Sequence, residues 1–282
     1  SDDRLILEGA DNLNNISVDG GTGNNTFVTS TSVGTGINPA DIADHEFASF
    51  KNFQNYEIEG SNNTSHDFTN LVGVTSVIVA TQNVDTTLID LPVANVIISG
   101  KNQTIGSNSN ADQDFDDIRI QGSDGASLTV TLDNTARVDG ELNVEDLYIE
   151  NQNAGNVSAV RTLNIVSNGA RQTSNVVEEL HGNLVNTFNI TGTQDFTTNI
   201  VSAANSTGAA AARTSLVVDG SALTGDFDLT LDGVVLSAVD AGTTSTVKLT
   251  GTAGLADDLR LSDVINTTTD TTISGFETIH FG

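Results

Sequence analysis

Cysteine, methionine and tryptophan are absent from this sequence, and proline occurs only twice. Without cysteine there is no disulfide framework, no thiolate metal site and no cysteine nucleophile. Basic residues are scarce as well: 10 Lys and Arg stand against 37 Asp and Glu, for a formal net charge of -27. A surface of that sign repels nucleic acid and anionic membranes, and neither is an expected partner. No run of 18 apolar residues occurs, and no basic-then-apolar stretch opens the sequence, so neither a membrane insertion nor a Sec-type signal peptide is expected. Aromatic residues make up 5%, which with so few bases leaves little to line a sugar-binding groove. There is no Gly-x-Ser-x-Gly elbow and no phosphate-binding loop, and His45, His66, His181 and His280 are scattered without zinc-like spacing. The expectation is a protein that is not an enzyme.

What remains is a chain long enough to bury a core, with 37% apolar residues over 282 positions. Asn, Asp, Thr and Ser are abundant, and these are oxygen ligands of the kind calcium takes. Calcium is therefore the expected cofactor, against the plain alternative of a solvated acidic surface. Low lysine, acidity and the lack of cysteine together point to an exported bacterial protein, expected at the cell surface.

Short alternating runs bounded by Gly, Asn and Asp fill the sequence. Leu5 to Leu7, Tyr56 to Glu59, Ser76 to Val79, Val96 to Ser99, Ile118 to Gln121, Leu128 to Leu132, Leu216 to Val218, Phe227 to Leu231 and Val247 to Leu249 all predict strands. A finer pattern runs through them: apolar, two residues, apolar, any residue, apolar. It occurs at Phe53-Tyr56-Ile58, Val74-Val77-Val79, Val93-Val96-Ile98, Val144-Leu147-Ile149, Val160-Leu163-Ile165, Val185-Phe188-Ile190 and Phe276-Ile279-Phe281. The last two positions of each copy share one strand face, and the first closes the preceding corner.

Neighbouring copies are separated by 21, 19, 16 and 25 residues, about one coil of a solenoid. The fold class expected is all-β: a mostly parallel β-solenoid or β-roll-like stack with irregular corner insertions. A hairpin-connected sandwich is the rival, but tight Asn-Gly or Asp-Gly turns between paired runs are not the rule here. Residues 39–50 and 208–213 read as brief helical turns, and 167–184 as a long excursion without strand character. Residues 1–282 read as one elongated unit, or as a fragment or repeat unit of a longer chain.

The segment Ser1-Asp-Asp-Arg-Leu-Ile-Leu7 resembles Ala256-Asp-Asp-Leu-Arg-Leu261 in chemistry. Related segments at both ends suit a unit that stacks on copies of itself, so self-association is the expected partnership. Asp257 and Asp258, facing Asp2 and Asp3 of a neighbouring copy, are one candidate calcium site. The densest acidic cluster, Asp112, Asp114, Asp116 and Asp117, is another, since carboxylates at alternate positions can converge on one cation.

Residues 20–28, Gly-Gly-Thr-Gly-Asn-Asn-Thr-Phe-Val, resemble the calcium-binding nonapeptide of the repeats-in-toxin (RTX) family at every defined position except Asn25, where the family has Asp. Residues 1–36 thus read as a degenerate RTX-like segment. With the apolar ladder, the ending Ile273 to Phe281 and the lack of cysteine, the chain resembles RTX-related bacterial surface-layer proteins of the Caulobacter type. The resemblance implies an extracellular coat that self-assembles with calcium, and it makes Asp19 with Asn25 a further candidate metal site. Cell-surface polysaccharide is a second expected partner. Two alternatives stay open: an adhesin or biofilm-matrix module, and a polysaccharide-active enzyme.

Overall fold

A computed structural model describes residues 1–8, 18–30, 50–59, 65–68, 73–80, 84–91, 94–99, 113–122, 126–135, 140–150, 160–170, 173–182, 185–201, 215–232, 246–262 and 270–282. The strands among them are, in order, β1 (Arg4–Glu8), β2 (Val18–Asp19), β3 (Thr26–Ser30), β4 (Phe50–Lys51), β5 (Asn55–Glu59), β6 (Ser65–Asp67), β7 (Ser76–Val79) and β8 (Thr86–Ile89). There follow β9 (Asn95–Ser99), β10 (Gln113–Phe115), β11 (Ile118–Gln121), β12 (Ser127–Asn134), β13 (Gly140–Glu150), β14 (Thr162–Gly169), β15 (Thr173–Gly182) and β16 (Thr187–Gly192). The last are β17 (Asp195–Val201), β18 (Ser215–Leu223), β19 (Phe227–Leu231), β20 (Thr246–Thr250), β21 (Asp258–Leu261), β22 (Asp270–Ser274) and β23 (Thr278–Phe281). No helix occurs among the described residues.

The strands form two long sheets. The first has 11 strands, in the order β1, β3, β5, β7, β9, β12, β14, β16, β18, β20, β22; the second has 10 and runs from β6 to β23, with β10 beside β13. Every pairing among the described residues is parallel. From β5 onward the chain steps from one sheet to the other and back, and each return lands beside the previous coil. This is a two-sheet parallel β-solenoid, and the hairpin sandwich is excluded.

In a parallel stack, one residue of each coil lies beside its counterpart in the next, so inward apolar residues form columns. In the first sheet Phe27, Tyr56, Val77, Val96, Val130, Ile165 and Ile190 follow one another in register, all buried. In the second, Ile118, Leu147, Leu180, Ile200, Leu231, Leu261 and Phe281 form the facing column. Each buried side chain of this size contributes about 1.5–3 kcal/mol, which offsets the entropy of fixing the short strands. One core cluster runs from Phe27 to Leu261.

The apolar motif has the structural meaning its spacing predicts. Its fourth and sixth residues point inward in the first six copies, and its first folds over the corner in all but one described copy: Phe53, Val160 and Val185 are buried there, Val74 and Phe276 pack against the core's edge, and Val144 is instead a buried residue within β13. Val93 lies outside the described residues. The seventh copy departs from the rule, since Ile279 and Phe281 stand at the rim of the stack and are 38% and 76% exposed.

Two expectations are corrected. Residues 167–184 are not an excursion: β14 extends to Gly169, and β15 is a ten-residue strand. Its alternation is masked by a bulge, where Glu178 and Glu179 both face outward between buried Val177 and Leu180. An inward Asn175 masks it further, donating to Ser167 Oγ at 2.8 Å and to the carbonyl of Asn168 at 3.1 Å. Nor is the 16-residue interval from Val144 to Val160 a coil, because Val144 belongs to β13 in the second sheet and Val160 leads into β14 in the first. It is the half-step between sheets. Of the expected helical turns, 208–213 and 39–49 lie outside the described residues, and Phe50 begins β4.

Candidate cation-binding face

The glycine-rich segment of residues 20–28 forms a turn. Gly21 and Gly23 both have positive φ between β2 and β3. Asp19 Oδ1 accepts from the Asn52 side chain at 2.6 Å and from Gly21 N–H at 2.8 Å, which holds this exposed carboxyl below its ordinary range. Asn25 is fully buried, and both ends of its amide are engaged: Oδ1 accepts from Asp3 N–H at 2.9 Å and Nδ2 donates to the carbonyl of Asn52 at 2.8 Å. Its own N–H donates to Gln54 Oε1 at 2.8 Å. Asn25 therefore links three successive coils.

Asp257 and Asp258 serve different partners. Asp257 is fully buried just before β21, where its carboxylate accepts from Phe227 N–H and the Thr252 hydroxyl, each at 2.9 Å, and from Thr252 N–H. Asp258 lies on the partly open face near Arg260 (3.9 Å) and His280 (3.8 Å). β21, which Asp258 opens, lies beside β23 at one end of the described second sheet. Asp2 and Asp3 are used within the first two coils, where Asp2 Oδ1 accepts from Asn24 N–H at 2.9 Å and Asp3 Oδ1 accepts from the Ser1 hydroxyl at 3.0 Å.

The third predicted cluster has a wider setting than its sequence shows. Asp112 lies outside the described residues; Asp114 is exposed on β10, and Asp116 and Asp117 occupy the bend before β11. Parallel stacking sets the acids of other coils alongside. Asp85 precedes β8, which pairs with β11; Glu145 and Asp146 lie on β13; and Glu178 and Glu179 lie on β15, with Asp146 opposite Glu179. Neighbouring strands are about 4.8 Å apart, so like charges are held closer together than a Debye length.

The repulsion is visible in the groups themselves. Burial and then the charges of Asp85, Asp117 and Asp114 raise the pKa of Asp116. Glu145 is raised by desolvation and then by Asp117, Asp146, Asp116 and Glu178. Arg119 relieves part of it, pairing with Asp117 at 2.7 Å and Glu150 at 3.3 Å. Its guanidinium also lies 3.6 Å over the ring of Tyr148. Burial, the hydrogen bond to Asp146 and the surrounding carboxylates push the Tyr148 phenol up to about 12.

Comparison with protein-family models, with curated proteins and with solved structures finds no match.

Chemically, the stripe is a row of carboxylates with Arg119 as its paired arginine among the described residues, and hard divalent cations suit such oxygen donors. Sequence reading finds its first members but misses Glu145, Asp146, Glu178, Glu179 and His181, because cross-coil neighbours are about 30 positions apart in the chain. His181, isolated in the sequence, stands beside Tyr148 and between Asp146 and Glu179.

Asp116→Asn is expected to raise the stability in EGTA and low salt by no more than about 0.5 kcal/mol after solvent screening. The gain should vanish at about 1 M NaCl, where the Debye length falls to about 3 Å. Because the folded pKa of Asp116 is raised, its penalty is present above that pKa and is relieved as pH falls through it. The same substitution should therefore make no difference once the pH lies below the unfolded value. An Asp116→Asn midpoint equal to that of the parent in low salt at neutral pH would show that the stripe is fully screened.

Proposed function

We propose that this chain is an extracellular structural protein of a bacterial cell surface, related to the RTX-type surface-layer proteins, which self-assembles into a layer or filament stabilised by calcium. The observation that carries the reading is the acidic stripe crossing successive coils of the second sheet. A stack that places like charges in register repels itself unless a cation bridges them. The edge strands support the assembly half. Among the described residues, β1 at one rim and β22 and β23 at the other each pair on one side, and Ile6, Ile279 and Phe281 are exposed beside them. A second copy laid against such an edge continues both the hydrogen-bond ladder and the apolar columns.

The test is thermal unfolding and negative-stain electron microscopy on protein dialysed against calcium and, in parallel, against EGTA. Extracellular calcium sites have dissociation constants of about 0.1–1 mM, so roughly 10 mM calcium on one 0.1 mM site stabilises by about 2.7 kcal/mol. A midpoint that rises with calcium, with filaments or sheets forming only in its presence, is the expected result. Identical midpoints and dispersed particles in both conditions would overturn the reading and favour a monomeric binding module.

A further inference from the structure

Within the acidic stripe, one group of side chains differs in kind because it includes a nitrogen donor. β13 and β15 run in register, with Asp146 opposite Glu179 and Tyr148 opposite His181. Residues two apart on a strand share a face, so these four side chains form a compact block. His181 Nε2 lies 3.2 Å from Glu179 Oε2 and 3.7 Å from Asp146 Oδ1. One ligand atom from each of the three residues lies within 4.8 Å of the others. Ligands at about 2.1 Å from a tetrahedral zinc-type ion are about 3.4 Å apart, close to the two distances found here.

The neighbours hold this arrangement in place. The His181 ring stacks on Tyr148 with centroids 4.2 Å apart and planes 13° apart, and Arg119 covers the Tyr148 ring at 3.6 Å. The Tyr148 hydroxyl donates to Asp146 Oδ2 at 2.8 Å, so Oδ1 is the oxygen left toward His181. One tyrosine thus orients both the imidazole and a carboxylate, as outer-shell groups do at metal centres. The independent sign is Nε2 itself: the atom is buried, two carboxylate oxygens approach it, and it makes no hydrogen bond. A ring nitrogen set 3.2 Å and 3.7 Å from two carboxylate oxygens without hydrogen-bonding either is placed as one ligand among three. Glu179 is half exposed, which leaves a path for the ion.

We propose that Asp146, Glu179 and His181 bind one first-row divalent transition cation of the zinc type, through Oδ1, Oε2 and Nε2, with water completing its coordination. Calcium takes oxygen ligands, whereas imidazole nitrogen favours zinc and its neighbours. The site shares Asp146 and Glu179 with the acidic stripe but needs no second copy, and it ties β13 to β15 whether or not copies associate.

The test is isothermal titration of the full chain with zinc chloride in about 5 mM calcium chloride, a concentration that fills oxygen-only sites of ordinary extracellular affinity. The expected result is one zinc per chain that calcium does not displace. His181→Phe keeps an aromatic ring against Tyr148 and removes Nε2; it should weaken zinc binding at least about 100-fold. Tyr148→Phe, which frees the Asp146 carboxylate, should weaken it about tenfold. Circular dichroism of each variant shows whether it folds, and cobalt substitution gives a ligand-field band that should disappear in His181→Phe. Zinc uptake that calcium displaces, or that is equal in His181→Phe and parent, would mean diffuse attraction by the acidic stripe and would overturn the site. No zinc uptake, with His181→Phe merely less stable, would make His181 an ion-paired residue and overturn it equally. Failure to assemble in calcium would leave the zinc stoichiometry unchanged, so the two proposals fail separately.

Discussion

Gly192→Ala should lower stability by about 4 kcal/mol, the largest loss expected from a glycine-to-alanine change among the described residues. Gly192 closes β16 with φ of 125°, a conformation essentially confined to glycine, so the strain alone costs about 1–3 kcal/mol. An added Cβ would also lie 2.0 Å from the carbonyl oxygen of Ser167 and 2.7 Å from its nitrogen, both backbone atoms of the preceding coil. That carbonyl accepts from Thr193 N–H at 2.8 Å and Gln194 N–H at 3.2 Å, and both bonds are lost if the coils move apart. Ser167 is fully buried, and its carbonyl left without a partner costs about 1–3 kcal/mol. Gly254→Ala is the internal comparison, since Gly254 has φ of 77° but a Cβ added there would meet nothing within 4 Å. It should cost only about 1 kcal/mol. Urea unfolding of both variants against the parent decides the matter, and a Gly192→Ala loss no greater than that of Gly254→Ala would show that the Ser167 corner yields freely.

Gly192 also shows why some of this molecule is legible in its sequence and some is not. A solenoid coil needs two inward apolar residues per strand and one at the corner, and that rule is written locally: Phe53, Tyr56 and Ile58 state it within six positions. The contacts that a coil makes with the next are written nowhere locally. Nothing near Gly192 announces Ser167, and nothing near Asp146 announces Glu179 or His181. The bulge at Glu178 and Glu179 hides β15 because it breaks the period of two on which strand reading rests. The step from Val144 to Val160 passes for a coil because both sheets use the same motif. The acidic cluster around Asp114 is recognisable as such, but its partners come from neighbouring coils rather than from its own loop. Stacking, more than sequence proximity, determines which charges meet.

Asn25→Asp is the substitution that separates a live RTX-type metal turn from a structural one. It places there the acidic residue that the RTX nonapeptide carries, so a functioning calcium turn would bind more tightly and gain stability in calcium. The hydrogen bonds require the opposite. Asn25 Nδ2 donates to the Asn52 carbonyl at 2.8 Å in a fully buried setting, and a carboxylate there would set oxygen against oxygen. The Asn52 carbonyl loses its donor, and a buried charge gains no cationic partner; together these cost about 3–5 kcal/mol. Asp257 shows the complementary choice. It too immediately precedes a strand and is fully buried, but all its side-chain partners are donors, so a carboxylate fits where an amide would turn its own N–H groups toward Thr252 or Phe227. The identity at each position thus follows from whether the neighbouring coil offers a carbonyl or an N–H. Urea midpoints of Asn25→Asp in calcium and in EGTA provide the measurement: a loss of similar size in both is expected, whereas a variant more stable than the parent in calcium alone would make the turn a metal site.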